Sequence, residues 1–449
     1  MITNFELENF KAFAQKQSLK LAPITLIYGP NSSGKSSIIQ SLMMLKQTVL
    51  SKDKNVQLVT SGESINLGTF DSLVHGQDTK KKMSFSIKYT SNHVAKEYRY
   101  NHSYDMLFGN KEIRQIDLRY RTASNISFLD KYSFSSKLNN IDKVSFELTK
   151  PTVSSEGITY TLSNNESLTK AIINHLKIKS SDGKGWTEVE KSLATPFKVS
   201  SNLNIPTILS DIGTPASQYT AKIVDDIKYV FSDLKYLGPL RSAPKKFYSN
   251  EINNYQKGLG KHNLGLVIAS ASSNVKPAIN KYLKDFHIPY TIDAKDLGDI
   301  NTGPLISLQL TDTRNGAVIT PKDVGFGIGQ VLPIIFEAVI SENKHICVEQ
   351  PEIHLHPRLQ AHLADLFIDS VKNAGNQWIA ETHSEALMLR IQRRIREGEI
   401  PKEMVSVLYV DVGKSGAQVT ELNLDDDGDF TTHWPDGFFE ERINEMFGA

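Results

Sequence analysis

The segment Gly29-Pro30-Asn31-Ser32-Ser33-Gly34-Lys35-Ser36 has the spacing G-x-x-x-x-G-K-[ST] of a P-loop. A loop that wraps a polyphosphate needs glycines so that its backbone N–H groups can turn inward, and a helix behind it adds the positive end of its dipole. The residue types divide the work. Asn31, Ser32, Ser33, Gly34 and Ser37 cradle the phosphates of ATP, Lys35 bridges the β- and γ-phosphates, and the Ser36 hydroxyl ligates Mg2+.

Such a site also needs a carboxylate at the end of an apolar strand, and the run Ile346-Cys347-Val348 leads into Glu349, placed to hold Mg2+ through water. The next position ordinarily carries the glutamate that polarises attacking water. Here it is Gln350, whose amide cannot accept a proton at neutral pH. Three outcomes stay open: Glu349 or Glu352 takes over as base, the amide only orients water, or hydrolysis is slow or disabled. Glu381-Thr382-His383-Ser384 closes another apolar strand; His383 there can donate to a γ-phosphate, and a helix N-cap by Thr382 or Ser384 is the plainer reading. His354 and His356 with Glu352 offer borderline metal ligands, but no third histidine is near in sequence, so a loop at a nucleotide or subunit interface is the expected role. Gly325, Gly327 and Gly329 alternate before Gln330 and an apolar helix, which exposes N–H groups for a further anion. One active site needs only one such helix N-terminus at the γ-phosphate, so the spare one is expected to serve the nucleotide of a second subunit.

Positioning these residues takes strand, loop and helix in that order. Residues 1–28 read as strands (FELENF, SLKLAP, ITLIY), and IIQSLMMLKQTVL after the P-loop has helical spacing without Gly or Pro. We assign 1–78 to the first part of an ATPase head, 79–235 to an inserted β-rich lobe, 236–403 to the rest of the head, and 404–449 to a C-terminal hairpin and tail. From 236 onward, helices alternating with single strands (YTIDA, LISLQLTD, HICVEQ, QWIAET) predict a largely parallel sheet. The fold class is therefore α/β, a P-loop ATPase head with a mixed sheet.

The 449 residues carry 51 Lys plus Arg against 50 Asp plus Glu, a net charge of +1 that excludes an overall electrostatic case for nucleic acid or a membrane surface. Residues 79–150 nevertheless hold 14 Lys plus Arg and 7 Asp plus Glu, including Lys80, Lys81 and Lys82, a local basic excess. Cys347 is the single cysteine and is expected to be a small buried hydrophobe, which fits a reducing cytoplasm. No signal peptide or membrane span is read, and LDDDGDF, without the features of an EF-hand loop, reads as surface.

Taken together, ENFKAF, GPNSSGKSS, LGTFDSLVHG, YLGPLRSAP, DVGFGIGQVLP, VEQPEIHLHPRLQ, ETHSEAL and WPDGFFEER, in this order, resemble the ABC-type ATPases of the SMC, RecF and OLD (overcoming lysogenization defect) proteins, most closely a bacterial family of stand-alone AAA-type ATPases. The resemblance implies that Lys35 and Ser36 are Walker A, Glu349 the Walker B carboxylate, Gln350 the catalytic-glutamate position and His383 the switch histidine. It makes the segment from His354 to Pro357 a D-loop, Gln77 a Q-loop residue near the metal, and Gly327, Gly329 and Gln330 the signature that meets ATP on the opposite protomer. Two positions depart from the pattern: Gly327 stands where transporter-like members place Ser, and Gln350 where Glu is usual. Residues 384–449 are too few for the Toprim nuclease of OLD members, which takes roughly a hundred residues.

The resemblance implies an ATP-operated sensor or scaffold that closes as a homodimer or higher oligomer around ATP and controls a separately encoded effector, a nuclease or toxin, in anti-phage defence. The alternatives are a DNA-binding repair ATPase gripping phosphates with the 79–150 lobe and Arg390, Arg393, Arg394 and Arg396, a non-hydrolysing ATP-bound scaffold, and a P-loop small-molecule kinase. The kinase leaves the glycine-rich signature without a role.

Overall fold

The computed structural model describes residues 1–52, 57–90, 112–123, 126–138, 141–154, 157–163, 166–167, 197–200, 216–241, 245–249, 264–270, 274–299, 303–432 and 434. The chain begins β1 (Ile2–Glu8), β2 (Gln17–Lys20), β3 (Ile24–Tyr28), α1 (Lys35–Val49), α2 (Phe70–Leu73) and β4 (Met83–Thr90). It continues β5 (Ile113–Ala123), β6 (Ile126–Leu138), β7 (Ile141–Ser154), β8 (Gly157–Ser163), β9 (Phe197–Ser200), α3 (Ala216–Ser232), β10 (Leu234–Leu237) and β11 (Phe247–Ser249). Next come α4 (Leu264–Ser270), α5 (Val275–Asp285), β12 (Tyr290–Asp296), β13 (Leu305–Asp312), β14 (Val318–Ile319) and α6 (Phe326–Ile340). The last elements are β15 (His345–Glu349), α7 (Pro357–Ala374), β16 (Gln377–Glu381), α8 (Glu385–Arg396), β17 (Val405–Gly413) and β18 (Gly416–Leu422).

Two compact units result, one from Met1–Leu21, Ser32–Leu234 and Asp411–Val419, the other from Ala22–Asn31, Lys235–Val410 and Thr420–Ala449. This division runs across the four consecutive segments read from the sequence. The reason is pairing: β4, at the start of the 79–235 segment, lies antiparallel to β1, so the inserted strands extend a sheet begun by the N-terminus.

The first unit is built on eight strands in the order β2-β1-β4-β5-β6-β7-β8-β9, every neighbouring pair antiparallel. Alternation explains it. In β5 every second side chain (Arg114, Ile116, Leu118, Tyr120) is buried, and the residues between them are not. Arg114 sits among these apolar residues because its Nη1 donates to Asp226 Oδ1 of α3, while Tyr89 O–H donates to Asp226 Oδ2 at 2.9 Å. On the basic side of the unit, Lys82, Arg119 and Arg121 all pair with Asp130. Burial works against ionisation there, but hydrogen bonds from Lys82 and Arg119 hold the Asp130 carboxyl below its ordinary range. Residues 91–111 of the basic segment lie outside the described residues.

The second unit carries a six-stranded sheet, β10-β15-β16-β3-β17-β18. Its central strands β15, β16, β3 and β17 are parallel, and all five residues of each of β3, β15 and β16 are buried, as both-face coverage by crossover helices requires. Cys347 lies inside β15, fully buried. Trp378 of β16 stacks on Phe367 of α7 with ring centroids 4.4 Å apart. The parallel sheet stops short of β12 and β13, however. They pair antiparallel with each other in a separate sheet with β11 and β14, because the 297–304 connection is too short for a crossover. Among the described residues no helix is long and apolar enough to cross a membrane.

His345 opens β15 inside this core, and burial drives its pKa from 6.5 to about 3. It is neutral when folded and protonated when unfolded below its ordinary pKa, so acid binds the unfolded chain. Stability is therefore lost as pH falls from about 6.5 towards 3, by about 1.4 kcal/mol per pH unit. Urea unfolding at pH 7 and pH 5 is expected to show about 2 kcal/mol more loss in the wild type than in His345→Gln. Equal losses would refute this assignment.

Candidate functional site

Strand β3 ends at Tyr28, and the chain then turns through Gly29 (φ 144°), Ser32 (φ 62°) and Gly34 (φ 105°) before α1 begins at Lys35. A left-handed residue next to a right-handed one can turn neighbouring N–H groups to one side, as in an anion nest. Gly34 is required twice over: its φ disfavours a side chain, and a Cβ there would lie 3.0 Å from Ala12 Cβ. The first turn of α1 has no side-chain cap and no acidic residue, so the positive end of its dipole is not offset by a carboxylate of its own. The Ser33 hydroxyl is buried without a hydrogen-bond partner. Asn31 and Ser32 are exposed, Ser36 is half-buried, and Lys35 and Ser37 are buried. An uncapped N-terminus, a buried hydroxyl with no partner and a lysine at the first helical position fit a polyphosphate.

In the second unit, parallel strands bring their C-terminal ends to one edge, where ligands of open α/β sheets bind. Glu349 is in register with Glu381, and Glu381 with Ile27, two residues before Gly29. Glu349 is buried and accepts from Tyr236 O–H at 3.0 Å. Burial, then the Glu349 charge, raises the Tyr236 phenol well above its ordinary value, which keeps it a donor. Gln350 is left-handed (φ 44°), its N–H bonded to Glu381 O at 2.7 Å. Beyond it, Glu352 is committed at both oxygens: Oε1 accepts from His383 N–H at 2.6 Å and Oε2 from Thr382 O–H at 2.8 Å. Burial raises the Glu352 pKa while these donors oppose the rise. That arrangement suits a holder of the His383 backbone better than a base for water. Ser384 caps α8 by accepting from Leu387 N–H at 3.1 Å, so the capping role falls to Ser384 and leaves His383 just outside the helix.

The glycine run is not a loop before the helix. Gly327, Gly329 and Gln330 lie in the first turns of α6, with Gly325 as its N-cap and no side-chain cap. A Cβ on Gly327 would come 2.5 Å from His354 O, so only glycine permits this approach. Gln330 is fully buried and spends both ends of its amide on the Arg241 backbone, at 2.9 and 3.2 Å. In the first unit, Gln77 is exposed in a left-handed turn (φ 56°). His356 Nδ1 accepts from Arg358 N–H as the N-cap of α7, and His354 is exposed. No group of three or more His, Cys, Asp or Glu suited to a metal occurs among the described residues.

Two residues escaped sequence reasoning. Tyr236 and Arg241 begin and end the YLGPLR segment, whose only signal was its place in the resemblance. Arg241 Nη2 donates to the carbonyls of Glu349 and Gln350, at 2.5 and 3.2 Å. The four arginines of α8 offered for DNA are all occupied: Arg390 and Arg394 on Asp365, Arg393 and Arg394 on Glu397, and Arg396 on Asp429. The LDDDGDF run folds on itself, with Asp425 Oδ1 accepting from the N–H groups of Asp427 and Asp429.

Residues 1–388 match the family described as AAA ATPase domain. Comparison with curated proteins finds no match. Among solved structures, the chain is similar to an Smc head bound to the C-terminal winged-helix domain of ScpA, at 12% identity and a TM-score of 0.43, covering 95% of this chain and 98% of that one. An SMC head domain from Thermotoga maritima gives 10%, 0.40, 94% and 99% in the same order. An Smc head domain with an extended coiled coil, bound to the C-terminal domain of ScpA and derived from Pyrococcus furiosus, gives 13%, 0.45, 94% and 96%. At these values the structural likenesses carry no further argument.

Proposed function

The chain belongs to the AAA ATPase domain family, and from that premise we propose that it is an ABC-type switch that binds ATP with Mg2+, closes as a homodimer around it and hydrolyses it slowly. The observation that carries the reading is the uncapped start of α1 behind three left-handed residues, with the buried Ser33 hydroxyl beside it. Lys35 would neutralise the β- and γ-phosphates, and Ser36 and Glu349 supply the hard oxygen ligands that Mg2+ prefers. Bound Mg2+ would offset negative charge on the phosphates. His383 stands at the sheet's C-terminal edge as a donor to the γ-phosphate, its backbone held by Glu352. Dimer closure supplies the switch if ATP binds the closed state better than the open one. In the finer reading, closure holds a separately encoded effector and hydrolysis releases it, in the setting of anti-phage defence. The ion-paired arginines of α8 weigh against the DNA-gripping alternative.

The test of turnover is Gln350→Glu. A general base contributes about 10²–10⁴-fold, so steady-state ATP hydrolysis is expected to rise at least about tenfold in this variant. Unchanged turnover would show that another group activates the water.

A further inference from the structure

We infer that Arg241 is a positioning residue that couples the start of α6 to the peptide at the catalytic position, with Gln330 as its anchor. The contacts form one continuous chain inside the second unit. Gln330, on the second turn of α6, brackets the Arg241 backbone: its Nε2 donates to Arg241 O at 2.9 Å and its Oε1 accepts from Arg241 N–H at 3.2 Å. This fixes where the Arg241 side chain starts. At the far end, Nη2 donates to Glu349 O at 2.5 Å and to Gln350 O at 3.2 Å.

Gln350 needs such a clamp. Its φ of 44° is a conformation that a residue with a side chain keeps only when its surroundings impose it. Its N–H is held by Glu381 O, and its carbonyl by Ile353 N–H at 3.2 Å and by Arg241. A second contact joins the same two elements, since Gly327 lies against His354 O with no room for a Cβ. Movement of the first turns of α6 is thus passed to residues 349–354 at two points.

Stability does not explain the arginine. It is only 7% exposed, and its Nε and Nη1 are buried without hydrogen-bond partners. Burial lowers its pKa to about 10, with the charges of Glu352 and Glu349 opposing the fall. A buried cation with idle donors is replaced by an apolar side chain at little cost in many folds, so its presence here points to a task. The task is to make the geometry of Glu349 and Gln350 depend on the seating of the helix that begins at Gly325.

The consequence for turnover rests on the ATPase reading above; the clamp itself does not. Hydrogen exchange of the ligand-free full chain tests the clamp. In Arg241→Met and Gln330→Ala the amides of Gln350 and Ile353 are expected to exchange at least about tenfold faster, with the α6 interior (332–340) unchanged and Arg241→Lys intermediate. Unchanged protection at Gln350 and Ile353, or loss of protection throughout α6, would overturn the inference. With ATP and Mg2+, Arg241→Met is expected to lower kcat by about tenfold or more while KM stays within about threefold, and the double variant should be no worse than Arg241→Met. A raised KM at constant kcat, or losses that multiply in the double variant, would also overturn it. Failure of the wild type to bind a fluorescent ATP analogue would refute the ATPase reading and leave the exchange result to decide the clamp.

Discussion

Lys35→Ala is expected to weaken ATP binding by roughly a hundredfold and to abolish any ATP-driven dimer. The side chain is buried at the first position of α1, at a helix N-terminus with no side-chain cap, so it adds a full charge where backbone dipoles alone are partial. Charge-assisted hydrogen bonds to phosphate oxygens are worth about 1.5–3 kcal/mol each, and about 2.8 kcal/mol is a hundredfold in Kd. Titration of a fluorescent ATP analogue measures the first effect. Mass photometry with and without ATP and Mg2+ measures the second: the wild type should shift from monomer towards dimer and the variant should not. A wild type whose distribution ignores nucleotide would sink the switch reading, since a ligand that fails to distinguish two states cannot shift them. Far-UV circular dichroism of Lys35→Ala separates loss of function from loss of fold.

The largest expected effect on stability belongs to Asp226. Removing its carboxylate takes the Asp226 ion pair from the buried Arg114 guanidinium and the carboxylate acceptor from Tyr89. Breaking a buried pair from one side costs about 3–5 kcal/mol, whereas replacing both partners with apolar residues is often neutral. Asp226→Ala should therefore lower Tm by roughly 10 °C or more, and Arg114→Met combined with Asp226→Leu should recover most of it. Scanning calorimetry reads both. A single variant that melts with the wild type would show that the pair contributes nothing to the first unit.

Both predictions start from residues visible in the sequence, but they were visible to different degrees. Lys35 declared itself because the G-x-x-x-x-G-K-[ST] pattern fixes four of eight consecutive positions, and its place between ITLIY and IIQSLMML left few other meanings. The placing of Glu349 and His383 at one edge followed from one rule, that polar residues ending apolar parallel strands share an edge; the registers align Glu349 with Glu381, two residues before His383. Nothing local marks Arg114 as buried. Its burial depends on Asp226, which lies 112 positions later on α3. The glycine run was legible as a helix start but misplaced by a few residues, because glycine propensity argues against helix while the approach of His354 O demands it.

The sequence by itself determined the P-loop pattern, the strand, loop and helix around it, and the resemblance to an ATPase family, because those depend on spacing along the chain and on side-chain periodicity. Only the tertiary structure decided that the strands of 79–235 extend the N-terminal sheet, that the Gln330 amide bonds the Arg241 backbone, and that the arginines of α8 are ion-paired. Each of these turns on which long-range partner satisfies a buried polar group or a strand edge, and pairing of that kind leaves no mark on residues that are near neighbours in the chain.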